Sequence, residues 1–288
     1  MQKVDHIFSF IFSNKSQKKF EKFILFLATA GFIIHLSLIF LNKFEIINFN
    51  FNNTLLLNPI SALYTPFSFI LVYEAFLLIY YIPNSFSVSV AKEYEIISLI
   101  LIRKIFKDVP MVDLDVEFFS NENNVQLVYD LIGIIVVFFL IFLFKKTAGK
   151  SKKKKKNKRL LKFIHQKKII SIVLVPILLI LASYSFYDWF NSVFYSQGYN
   201  DNLNYLFFVD FFTILILVDV FILLISFRYT ERYSQLIRNT GFIISTIILR
   251  LSFAASGLTS VVLLSSGILF GVIIFAIFKQ MEKVRYLD

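Results

Sequence analysis

Six apolar tracts constrain this chain more than any other feature: residues 23–41, 60–82, 125–144, 169–187, 205–227 and 239–278. A helix needs about 20 mostly apolar residues to cross the hydrocarbon core of a bilayer. The first five tracts each supply one such helix. The sixth is too long for a single crossing and holds "SGLTS" at 256–260, so it is expected to form two helices joined by a tight turn. With 57 % hydrophobic and 17 % charged residues, a water-dispersed domain would expose too much apolar surface. The 37 phenylalanines and 14 tyrosines suit lipid-facing helices with aromatic rings at the headgroup level.

The segment 92–109, "KEYEIISLILIRKIFKDV", has an uncharged, mostly apolar core of only Ile96–Ile102, and hydropathy alone would lay it in the interface. Charge topology argues that it crosses, because cytoplasmic loops collect Lys and Arg. Thirteen Lys or Arg and no acid lie between Lys145 and Lys168, which leaves 17 basic and 19 acidic groups elsewhere. The net charge of +11 is therefore the property of one linker. With the N-terminus inside, as Lys15, Lys18, Lys19 and Lys22 suggest, a crossing at 92–109 puts the acidic segment 108–124 outside and the polybasic linker inside. The second half then follows the same rule, with Arg228, Arg232 and Arg238 in an inner turn and Lys279, Lys283 and Arg285 at an inner C-terminus.

The expected architecture is an all-α polytopic membrane protein of about eight transmembrane helices, arranged as two tandem parallel four-helix repeats. Six or seven spans are the alternative, with 92–109 interfacial or re-entrant. Residues 1–22 form a cytoplasmic N-terminal segment without a cleavable signal peptide, in which "VDHIFSFIF" at 4–12 could lie flat on the membrane. Residues 23–144 are the first repeat, 145–168 the polybasic cytoplasmic linker, and 169–288 the second repeat with a short cytoplasmic tail.

The repeat rests on "IISLILIR" (96–103) and "IISTIILR" (243–250), each preceded by a helix with one acid in its inner half, Glu74 and Asp219. At a rise of about 1.5 Å per residue, both acids sit roughly 12 Å from the inner end of their helix, and Arg103 and Arg250 roughly 18 Å along the next helix. An arginine can lean across that difference, so two intramembrane ion pairs are expected, Glu74 with Arg103 and Asp219 with Arg250. An even number of spans per unit makes the copies parallel.

Charges at bilayer depth cost about 2.5–3.5 kcal/mol, which marks these four residues as ion-path candidates. A register-fixing lock explains the same pairs equally well. Asp210, nine residues before Asp219, either extends a polar path or faces outer water, and water is the simpler choice. His35 reads as a hydrogen-bonded core histidine. Gly267 and Gly271 in "GILFG" read as helix-packing positions, since small residues one turn apart let backbones approach. The run Lys152, Lys153, Lys154, Lys155, Lys156, Lys158 and Arg159 would be drawn to anionic lipid headgroups at the inner face.

There is no cysteine, and no HExxH, Walker A, GxSxG or GxGxxG motif, so no catalytic residue, metal site or cofactor is expected and the chain does not read as an enzyme. Confinement of the basic excess to one linker argues against nucleic acid. The remaining expectation is an ion channel or small-cation or proton transporter in the cell (inner) membrane, with both termini cytoplasmic. A non-transporting scaffold or anchor, whose linker holds lipid or an acidic partner, is the alternative, and either is compatible with a homo-oligomer.

Overall fold

The computed structural model describes residues 2–44, 59–109, 112, 118–149, 158–195, 203–230, 232–255 and 257–284. Among these every regular element is helical, and seven helices are long and apolar enough to cross a membrane. In chain order the helices are α1 (Gln2–Ile11), α2 (Asn14–Lys43), α3 (Tyr64–Tyr81), α4 (Phe86–Asp108), α5 (Glu122–Ala148), α6 (Lys158–Tyr195), α7 (Leu203–Phe227), α8 (Tyr233–Leu251) and α9 (Gly257–Lys283). Each apolar tract became a helix because continuous intrachain hydrogen bonding is the only way a lone segment satisfies its backbone away from water.

Several helices outrun their apolar tracts. Asn14–Lys43 spans about 45 Å at the helical rise, so the lysine-bearing turns of α2 project beyond a hydrocarbon core of about 30 Å. The expected linker is shortened from both sides, because α5 continues to Ala148 and α6 already begins at Lys158. Residues 150–157, with Lys152, Lys153, Lys154, Lys155 and Lys156, lie outside the described residues. So do Asp113, Asp115 and Glu117 of the acidic segment.

The last tract breaks four residues earlier than "SGLTS" suggests. The chain leaves α8 at Leu251 through a 3-10 turn, Ser252–Ala254, and Gly257 opens α9 with a positive φ of 64° that favours glycine. Hydroxyls hold the break: Ser252 Oγ donates to Leu249 O, and Ser260 Oγ donates to Ser252 O at 2.9 Å.

Helices α4, α5, α9 and α8 pack in that order around a ring, with α3 against α4, α7 against α8, α2 outside α3, and α6 against α3 and α7. An aromatic cluster fills the ring: Tyr94 lies 5.0 Å from Phe144, which lies 5.6 Å from Phe242 and 5.2 Å from Phe275. Glycines set the closest approaches. Gly133 of α5 faces the Val261 side chain of α9, Gly241 of α8 faces Ile274, and Gly267 lies against Ser245 O and Leu249. Gly271 leaves room for the Tyr94 hydroxyl, which meets Ser245 Oγ at 2.5 Å; Ser245 in turn donates to Gly267 O at 2.6 Å. Both glycines of "GILFG" thus sit inside the α8–α9–α4 contact.

Helix α4 differs from its neighbours. It has 23 residues, about 35 Å, and starts six residues before Lys92, yet its charge keeps it apart from the seven apolar spans. Its polar residues Glu93, Ser98 and Arg103 are buried by α3, α5 and α8 rather than turned to lipid.

Candidate functional site

Glu74 projects from the middle of α3 toward α4, and Arg103 from the second half of α4 toward α3. Glu74 Oε2 and Arg103 Nη2 stand 2.8 Å apart, with both side chains buried. Arg103 also donates from Nη1 to Phe67 O at 2.9 Å, so the guanidinium holds the start of α3 as well as its carboxylate. The donors of one planar fork are divided between two acceptors on one neighbouring helix, an arrangement suited to fixing register.

The second pair is part of something larger. Arg250 Nη1 lies 2.6 Å from Asp219 Oδ2, and Arg250 Nη2 lies 2.5 Å from Glu93 Oε1. One guanidinium therefore joins a carboxylate of α7 to a carboxylate of α4, across the two halves of the sequence. Thr246, one turn before Arg250, donates to Asp219 Oδ2 at 3.2 Å. Glu93, Asp219 and Arg250 are 7 %, 8 % and 4 % exposed.

A cavity of about 20 Å³ opens beside this group, lined by Ser89, Glu93, Lys167, Asp219 and Thr246 together with Ile82, just past α3, and apolar residues of α4, α7 and α8. A space of roughly 10–15 Å³ admits one water, so this one holds about a single molecule among several polar partners. Lys167 of α6 is 3 % exposed and donates from Nζ to Asn84 O at 2.6 Å, in the turn between α3 and α4. Its ammonium stands over the Phe86 ring at 5.0 Å and the Phe163 ring at 5.6 Å. Glu93, Asp219 and Lys167 thus line one small cavity, and Arg250, which does not line it, pairs with both carboxylates.

Neither Glu93 nor Lys167 was singled out from the sequence. Aligning the two arginine motifs places Thr240 opposite Glu93 and Leu99 opposite Thr246, so this constellation has no counterpart around Arg103. A second buried acid was also missed. Asp130 of α5 has no exposed surface, accepts from Gln126 Nε2 at 2.8 Å and pairs with Lys104 Nζ at 3.2 Å.

Other candidates lie apart from these groups. Asp210 is exposed, two turns before Asp219 on α7. His35 Nδ1 meets Thr65 Oγ1 at 2.7 Å and ties α2 to α3. Lys158 and Arg159 are exposed at the start of α6. Among the described residues no three His, Cys, Asp or Glu side chains converge to hold a metal ion. No known protein family, curated protein or solved structure matches the chain.

Proposed function

We propose that the protein is a membrane transporter of protons or another small cation, with Glu93, Asp219, Arg250 and Lys167 as its cation site. One observation carries this: Glu93 of α4, Lys167 of α6 and Asp219 of α7 line a cavity with room for about one water, and Arg250 of α8 pairs with both of those carboxylates. The formal charges of the four cancel. A proton arriving through the cavity would neutralise Glu93 or Asp219 and weaken one of the two ion pairs that Arg250 makes. Loss of the Glu93 pair loosens α4 from α8, and loss of the Asp219 pair loosens α7 from α8. Proton occupancy is thereby coupled to how the halves pack. The single-water volume favours a proton over a larger hydrated ion.

Glu74 and Arg103 do not line the cavity, and in this account they are the fixed register lock of the first half. That same pair favours the second reading, a non-transporting scaffold or anchor in which every buried ion pair is a lock.

The account includes eight crossings with both termini cytoplasmic in the cell membrane, and tandem parallel repeats whose α3–α4 and α7–α8 hairpins carry equivalent acid–arginine pairs. Burial of Glu93 and Arg103 by α3, α5 and α8 supports a crossing by α4, because the polar groups of such a helix meet protein instead of lipid. Reconstitution in liposomes tests the proposal: an imposed pH gradient or membrane potential should drive proton uptake in the wild type and little in Glu93→Gln with Asp219→Asn. Absence of flux in the wild type under every gradient of protons or monovalent cations would leave the scaffold.

A further inference from the structure

Helices α1 and α2 meet at a fixed elbow remote in chemistry from both ionic clusters. Ser13 caps α2 by accepting from Ser16 N at 3.1 Å, and Ser16 Oγ donates back to Phe10 O at 2.6 Å, which sets the angle between the helices. The inner side of α1 is anchored: Phe12 stacks on Phe76 at 5.7 Å, Phe8 lies under the Lys168 ammonium at 5.1 Å, and Asp5 pairs with Lys168 at 2.7 Å. The opposite side leaves Ile7 and Phe10 exposed, Phe10 to 76 %.

An open groove of about 320 Å³ runs along this elbow, within the range of small-ligand sites. His6, Phe10, Lys15, Ser16 and Lys19 line it, and no acid does. Lys15 and Lys19 are four residues apart and share one face of α2. The acids that flank it in sequence are engaged elsewhere, Asp5 by Lys168 and Glu21 by the Tyr73 hydroxyl at 3.2 Å.

Depth identifies the occupant. The apolar tract of α2 starts at Phe23, so Lys19 and Lys15 lie roughly 6 and 12 Å outside it, at headgroup level. A cationic groove at that depth, rimmed by an exposed phenylalanine, matches a group with a phosphate and acyl chains. We propose that the elbow binds one anionic phospholipid, its phosphate held by Lys15 and Lys19 and its chains against Phe10 and Ile7. The site is distinct from the linker lysines, whose attraction to a charged surface needs no groove.

The test uses the purified full chain in zwitterionic detergent, titrated with phosphatidylglycerol, phosphatidylcholine or inorganic phosphate and read by native mass spectrometry. Phosphatidylglycerol should bind saturably at one site, and Lys15→Gln with Lys19→Gln should weaken it about 30-fold, from the usual contribution of two lysines near a charged surface. Lys15→Arg with Lys19→Arg should retain binding, as should glutamine at Lys152–Lys156. Equal affinity for phosphatidylcholine, displacement by equimolar inorganic phosphate, or loss only in the linker variant would overturn the proposal. Melting temperatures of all variants show that the fold is intact.

Discussion

Replacing Arg250 by methionine should be among the most destabilising single changes in this chain. Its guanidinium is 4 % exposed and stands 2.5 Å from Glu93 and 2.6 Å from Asp219. Removing one partner of a buried ion pair costs about 3–5 kcal/mol, because the charge left behind has neither water nor partner. Here two carboxylates are stranded together, so the cost belongs at or above the upper end of that range. An exposed pair gives the contrast: Lys92 and Glu95 meet at 2.8 Å but are 39 % and 28 % exposed, and Lys92→Gln should cost about 0–1 kcal/mol. The informative step is the quadruple variant Glu93→Gln, Asp219→Asn, Lys167→Met, Arg250→Met. Replacing a whole buried ionic group by uncharged side chains is often close to neutral, so stability should return to within about 1–2 kcal/mol of the wild type. Reversible unfolding in mixed micelles, followed by circular dichroism, measures the wild type, Lys92→Gln, the four single changes and the quadruple variant. A quadruple variant as unstable as the sum of its single changes would refute the shared-charge account, since separate sites add and coupled ones do not.

Packing and topology give two further expectations. Gly271→Ala should cost about 1–3 kcal/mol, because a Cβ there meets the Tyr94 hydroxyl and lies 2.9 Å from Ser245 Oγ, and Tyr94→Phe should restore much of the loss in the same melting assay. The chain has no cysteine, so single cysteines report sidedness cleanly. In cells, a membrane-impermeant maleimide should label Ser120→Cys from outside, and Asn14→Cys and Lys158→Cys only after permeabilisation. Labelling of Ser120→Cys from the same side as Asn14→Cys, with Lys158→Cys on the opposite side, would mean that α4 does not cross.

Much of the helical arrangement was legible because apolar tracts of crossing length have few alternatives, and several ends moved where polar turns extend a helix beyond its tract, as in α2 and α6. The pairs Glu74–Arg103 and Asp219–Arg250 were legible because each joins neighbouring antiparallel helices, whose depths follow from helical rise alone. The same arithmetic across the α4–α5 hairpin would have suggested Lys104 with Asp130. Glu93 was not legible by that route. It stands in "KEYEI", a flank that hydropathy assigns to headgroups, and its partner comes from a helix 157 residues away. Lys167 was hidden by its company, since it counts as one of the thirteen linker cations until α6 turns it inward over two aromatic rings. The helix break was displaced because the small residues of "SGLTS" resemble a turn, whereas Ser260 is spent inside α9 capping the chain from below.

The central claim is that the Glu93–Arg250–Asp219 group, and not the Glu74–Arg103 pair, is where a cation binds. It is tested most directly by proton uptake into liposomes carrying an internal pH dye, comparing Asp219→Asn with Glu74→Gln at matched protein content and verified fold. The account predicts flux in the wild type, abolished in Asp219→Asn and largely retained in Glu74→Gln. No flux in the wild type, or equal flux in the wild type and Asp219→Asn, would contradict it.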